Sequence, residues 1–308
     1  MAGELETYFV RSGVDEIIPM ISFDKILFPV DFSDRCRIAA RYVESVAANF
    51  GSKLILLHVM DVLDPAVDIN AGGMMFETQV EERALALRKV LDPYLEDELK
   101  PLKVERRLEI GEPARVIVEM AHNEDVDLIM MPTHGYGGFR RFILGSVTAK
   151  VLHDAGCPVW TGAHMQEPPL PGAIRMDHIS CAVDLGPENE APLKTAASLA
   201  EEYVADLTVI HIVPSADAGP ARFADVDLRG YLIKDARERL HAACANLQIK
   251  AQIRVEAGSS IAAMVSAAAT LHGAGLLVIG RSQHHGLGRL RTHSYSIIRE
   301  AQCPVLSI

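Results

Sequence analysis

The chain is written twice. FDKILFPVDFSD, from Phe23 to Asp34, is answered by MDHISCAVDLGP, from Met176 to Pro187, and in each an apolar run leads to an aspartate, Asp31 or Asp184. RIAARYVESVAANFGSKLILLHV is answered by PLKTAASLAEEYVADLTVIHIV, so that His58-Val59 recurs as His211-Ile212. EIGEPARVIVEMAHNEDVDLIMMP pairs with EAGSSIAAMVSAAATLHGAGLLVIG, and AGCPVW pairs with AQCPVL. The matches keep their order, and their spacing stays near half of the 308 residues. Such a pattern is a tandem duplication, and one unit folded twice must account for the whole chain. The join falls in MQEPPLPGAIRM, whose prolines and glycines mark a linker. The expected organisation is residues 1–164 with a short helical N-terminal extension, a linker at 165–176, and residues 177–308.

Within each unit, short apolar runs alternate with amphipathic segments. Ala39, Tyr42, Val43, Val46, Ala47 and Phe50 recur at helical spacing. KILFPV, KLILLHV and VDLIMM are almost continuously apolar, as parallel strands covered on both faces must be. With VERRLEI and PVW they make about five strands per half. The βαβα order predicts an α/β protein of two tandem doubly wound, Rossmann-like parallel-sheet domains, with a flavodoxin-like strand order. Ligands of such sheets sit at the carboxyl ends of the strands, where the order reverses.

The formal net charge of -11 argues against a nucleic-acid partner, which selects for a basic face. No apolar run approaches the roughly 20 residues that span a bilayer, so no membrane partner is expected. The five cysteines form no CxxC pair and fit a reducing, cytoplasmic setting, each as a small buried apolar residue. No metal-ligating pattern emerges: His284, His285 and His293 lack standard zinc spacing and read as a solvated loop. His58 and His211 read as hydrogen-bonded structural histidines. Asp31 and Asp184 could bond a ligand or cap the following helix. No nucleophile, base and orienting group occur together, so no catalytic residue is assigned.

The stretch MPTHGYGGFRRFILGSVTAKV carries the most unusual chemistry. It runs from a strand end at Met131 to a helix that begins near Gly145-Ser146. A helix N-terminus offers unpaired N–H groups and partial positive charge to a phosphate, and Arg140 and Arg141 could add charge. The same pair could equally be a helix start with serine as its cap. His134 could touch a phosphate or face solvent. The stretch is not a Walker loop, because no GK[ST] follows.

These pieces together resemble the universal stress proteins. Gly135, nine residues and then Gly145-Ser146 match the glycine motif of that family's nucleotide-binding members. PVDFSD, ILLHV and GSVTAKVL followed by CPV are also similar, and the resemblance runs through both halves. It implies an ATP site, with Mg2+ arriving on the nucleotide. Pro29, Val30 and Asp31 would lie along adenine and ribose, and Val59 would offer backbone to the adenine. Met131, Pro132, Gly135, Gly145, Ser146 and Val147 would wrap ribose and phosphates. The last strands, near Pro158-Val159 and Pro304-Val305, would join the domains, and the chain would self-associate. The implied role is a nucleotide-responsive regulator or scaffold with at most slow ATPase activity. Pro132 departs from the pattern by standing where the family has its first glycine. The second half departs further: Gly280 is kept, but Gln283 and His293-Ser294 replace the other motif positions, and a mainly structural role is expected there. A protein-interaction scaffold without nucleotide is the alternative function.

Overall fold

The computed structural model describes residues 21–61, 73–133, 144–162, 174–215, 223–281 and 290–308. The N-terminal extension, most of the linker, Gly135 with its neighbours His134, Arg140 and Arg141, and the Gln283, His284 and His285 segment lie outside the described residues. The first half runs β1 (Lys25–Pro29), α1 (Asp34–Phe50), β2 (Lys53–Met60), α2 (Gly73–Leu91), β3 (Val104–Ile110), α3 (Pro113–Asn123), β4 (Leu128–Met131), α4 (Ser146–Asp154) and β5 (Val159–Thr161). The second half repeats it with β6 (His178–Ala182), α5 (Glu190–Glu202), β7 (Asp206–Pro214), α6 (Phe223–Asn246), β8 (Gln252–Gly258), α7 (Ile261–Leu271), β9 (Leu276–Ile279), α8 (Leu290–Glu300) and β10 (Val305–Ser307).

All ten strands form one sheet, in the order β3-β2-β1-β4-β5-β10-β9-β6-β7-β8. Each half therefore has the Rossmann order 3-2-1-4-5. The flavodoxin-like order, which would place the third strand beside the first, is not the one adopted. The reason lies in the strands themselves. LIMM of β4 is buried at every position, whereas VERRLEI of β3 has no buried residue. A strand carrying Glu105, Arg106, Arg107 and Glu109 pays heavily in a covered centre and sits at an edge. β8, with Gln252, Arg254 and Glu256, takes the opposite edge for the same reason.

Helices cover both faces, as double winding requires. One core layer joins the sheet to α1, α2, α5 and α6 through residues such as Val43, Leu91, Leu199 and Leu240. The other joins it to α3, α4, α7 and α8 through Ile117, Val151, Val265 and Ile297. Each layer runs unbroken through both halves. The five helical positions from Ala39 to Ala47 are buried as expected, and Phe50 packs edge-on against Phe23 at 5.0 Å. Cys36, Cys181 and Cys244 are buried, while Cys157 and Cys303 are half-buried, and all five are free thiols.

The halves meet where β5 and β10 pair antiparallel, with Leu306 opposite Trp160. This is the single antiparallel step among the described strands. The contact continues beneath the sheet. Arg281, just past β9, donates to the carbonyls of Leu152 (3.1 Å), Ala155 (3.2 Å) and Cys157 (2.6 Å). These lie at the C-terminal end of α4, where orphan carbonyls and the helix dipole favour a cation. Burial pulls the guanidinium pKa down from its usual value. Tyr295 of α8 donates its hydroxyl to the Ala149 carbonyl of α4 at 3.2 Å.

Arg281→Ala should cost about 2–3 kcal/mol, because enclosed carbonyls lose charge-assisted donors. Arg281→Lys should recover only part of that, since one ammonium cannot span the fork. Urea denaturation of the three proteins checks this, and an alanine variant within about 0.5 kcal/mol of the parent would refute the clamp.

Candidate functional site

The strand order reverses at β1. From there the chain steps outward to β2 and β3, then returns across β1 to β4. Such a reversal opens a crevice above the carboxyl ends of β1 and β4. The ladder sets those ends side by side, with Leu27 opposite Ile129. Pro29 closes β1 and is buried, as is Val30. The Val30 amide donates to Leu57 at 2.8 Å, and its carbonyl accepts from the Nδ1 of His58 at 2.8 Å. Val59 follows in β2, half-buried against the α3 and α4 layer.

Beyond Val30 the backbone turns sharply. Phe32 adopts φ 64°, a left-handed conformation that costs a non-glycine residue energy. Neighbouring groups hold it there. Asp31 accepts the Ser33 amide at 3.0 Å in an Asx turn, and the same oxygen accepts the Cys36 thiol at 3.2 Å. The Phe32 ring lies 4.3 Å from His58 and 5.0 Å from Tyr94, whose hydroxyl donates to Ser33 at 3.3 Å. Burial, then the Asp31 charge, pushes the Cys36 thiol up to about 12, so it stays protonated and serves as a donor. Phe32 and Tyr94 were not among the sequence-predicted site residues. The Asp-x-Ser spacing of an Asx turn was the available signal.

On the other side of the crevice, Met131 ends β4 and is buried. Pro132 comes after the ladder has ended, so its missing N–H leaves no gap. It lines a narrow cleft of about 20 Å³ with Arg35, Ile38, Ala39 and Tyr42 of α1. Two bonds then lash this strand end to α4. The Gly145 amide donates to the Thr133 carbonyl at 2.9 Å, and the Thr148 hydroxyl donates to the Pro132 carbonyl at 3.1 Å. Gly145 is the N-cap residue, Ser146 opens the helix with an exposed side chain, and Val147 is half-buried. Serine is thus the first helical residue and not the cap. The structure brings nine of the ten sequence-predicted residues to one sheet edge, and the tenth, Gly135, lies outside the described residues.

The second half keeps the strand-end architecture and changes the helix. Asp184 accepts the Gly186 amide at 2.9 Å, Leu185 sits at φ 64°, and His211 Nδ1 bonds the Val183 carbonyl at 2.8 Å. These copy Asp31, Phe32 and His58. Helix α8, however, begins at Leu290, which puts His293 and Ser294 inside it. Burial holds His211 below the usual histidine pKa, so it is neutral. An unfolded chain releases that ring to titrate near its ordinary value of about 6.5. Below that pH the unfolded state takes up a proton that the native state refuses. Stability should therefore fall as pH drops through about 6.5, with a limiting slope near 1.4 kcal/mol per unit for this one group. His178 shifts in the same direction, so the contribution of His211 is the part of the slope that His211→Gln removes in urea titrations at pH 7 and 5.5. An unchanged slope would place the effect elsewhere.

A duplicated Rossmann-order unit with a lashed strand-to-helix crevice defines a doubly wound α/β protein. Comparison with known proteins names the family. The model of the universal stress protein family matches residues 22–161 and 176–308, so the chain belongs to that family. Two universal stress proteins of Methanocaldococcus jannaschii are similar to it. One is 36% identical over 140 residues, covering 44% of this chain and 80% of the relative. The other is 30% identical over 152 residues, covering 45% and 94%. The crystal structure of a universal stress protein from Archaeoglobus fulgidus spans 93% of this chain and 96% of its own, with a TM-score of 0.63 at 20% identity, which speaks to the fold. Among the described residues no helix is long and apolar enough to cross a membrane.

Proposed function

We propose that the protein is a cytoplasmic, adenine-nucleotide-binding regulator or scaffold of the stress response, with ATP seated in the first half. The observation that carries this reading is the lashing of β4 to the head of α4 at the point where the strand order reverses. A helix head fixed at a strand end presents its first amides to one place in the crevice. The Gly145 amide is spent on Thr133, so the amides of Ser146 and Val147, with the Ser146 hydroxyl, are the groups that fit phosphate oxygens. Pro29, Val30 and Asp31 line the adenine and ribose side, and Val59 offers backbone to the base. Met131, Pro132 and Gly135 complete the wrap.

Among the described residues no group of three or more His, Cys, Asp or Glu side chains could hold a metal ion. Mg2+ would accordingly be held by the phosphates and water, as it commonly is. The chain's own part is to bind and orient. Any ATP hydrolysis is expected to be slow. Self-association and a protein partner belong to the same proposal.

Extracting small molecules from the natively purified protein for mass spectrometry tests the reading, together with calorimetric titration of ATP and Mg2+. Co-purified adenine nucleotide, or saturable ATP binding at one site per chain, supports it. An empty extract and no heat at millimolar ATP would leave the interaction scaffold as the function.

A further inference from the structure

We propose that the second half carries its own small-molecule site, which takes a mainly apolar ring compound with an N–H or O–H donor and no phosphate. The site is a cavity of about 430 Å³ at the carboxyl ends of β6 and β7. That volume lies in the range of about 300–1,000 Å³ typical of small-molecule pockets. Its walls are aliphatic: Val183, Ile212, Ile261, Val265 and Ile297 all line it.

One acceptor gives the cavity direction. His211 lines it and is buried. Its Nδ1 faces the Val183 carbonyl, which can only accept, so Nδ1 carries the ring proton and Nε2 carries a lone pair. Among the described residues nothing donates to Nε2. The lone pair is therefore open to the cavity, where a ligand N–H or O–H can take the place of water. Two further polar liners, Asp184 and Arg239, are engaged with their own surroundings. Asp184 holds the Gly186 amide, and one Arg239 nitrogen donates to Leu185 at 3.0 Å while another lies 3.8 Å from Asp235.

Phosphate does not suit this cavity. Because α8 starts at Leu290, the Ser294 amide is consumed within the helix, and the orphan amides move back by about one turn. The His293 side chain lines the cavity at the position where the first half has Gly145. The inference is independent of whether the first half binds ATP.

Indole and phenol are suitable probes, with N-methylindole as the donor-free control, titrated into the full chain by ligand-observed NMR in excess ATP and Mg2+. Indole and phenol should bind, with intermolecular Overhauser contacts from indole to the His211 ring. N-methylindole should bind about five- to tenfold more weakly. Ile261→Trp should remove binding by filling the cavity, and His211→Phe should erase the preference for indole over its methylated form. No binding of either ring at millimolar concentration would overturn the proposal. So would displacement by ATP, or contacts from indole that omit His211, a readout on the parent protein that needs no variant to fold.

Discussion

Replacing Trp160 with alanine is expected to cost about 3–5 kcal/mol, the largest loss of stability for any single truncation in this chain. Trp160 is the only tryptophan, and it is 1% exposed. It lies on β5, with Met130 of β4 on one side and Leu306 of β10 on the other. Both strands at the junction are three residues long, so backbone pairing alone contributes little there. The indole is the main volume in that part of the core, and neighbours on three strands cannot collapse into the space it leaves. Its own N–H has no hydrogen-bond partner among the described residues. Trp160→Phe therefore loses volume but also removes a buried orphan donor, and should cost no more than about 1–2 kcal/mol. Urea denaturation followed by circular dichroism compares the three proteins. An alanine variant that loses less than about 1 kcal/mol would mean that the halves are held together elsewhere.

The duplication made most of this architecture legible, because each feature could be checked against its copy. Asp31 with Asp184 and His58 with His211 stood out as pairs, and the structure gives each pair one shared job. The aspartates close Asx turns and the histidines pin the carbonyls of Val30 and Val183. The edge strands carried a signal that the flavodoxin-like expectation did not use: VERRLEI and QIRVEAG are charged where LIMM and LLVI are not, and they take the two edges. Strand order was harder, because neighbours in a sheet are chosen by packing over long sequence separations and not by local pattern. The left-handed turn at Phe32 was hidden for a related reason: the Tyr94 and His58 contacts that support it come from distant segments. Nothing in the local sequence marks Arg281, and the closeness of β5 and β10 is what delivers it to the end of α4. The head of α8 also ran against the repeat. Aligned with Gly145-Ser146, the His293-Ser294 pair reads as a helix start, yet the helix begins at Leu290. Position 293 carries a histidine where the first half has a glycine, and a histidine is accommodated inside a helix more readily than a glycine.

That contrast makes Gly145→Val the sharpest test of the proposed ATP site. Gly145 sits at φ -61° and ψ 146°, an extended conformation that valine adopts readily. Its amide to Thr133 and its carbonyl from Ala149 are backbone bonds that valine would keep. The loss of stability should accordingly be small, about 1 kcal/mol or less for a poor N-cap residue. Binding should suffer far more. The isopropyl group stands beside the amides of Ser146 and Val147, where phosphate oxygens must come within about 3 Å to bond. Each charge-assisted bond lost removes about 1.5–3 kcal/mol, so losing two weakens ATP by roughly 10²-fold or more. Adenosine, which has no phosphate, should lose much less. Calorimetry of ATP and adenosine against parent and variant separates these effects. Equal ATP affinity in the two proteins would remove the phosphates from the head of α4, whatever else the crevice holds.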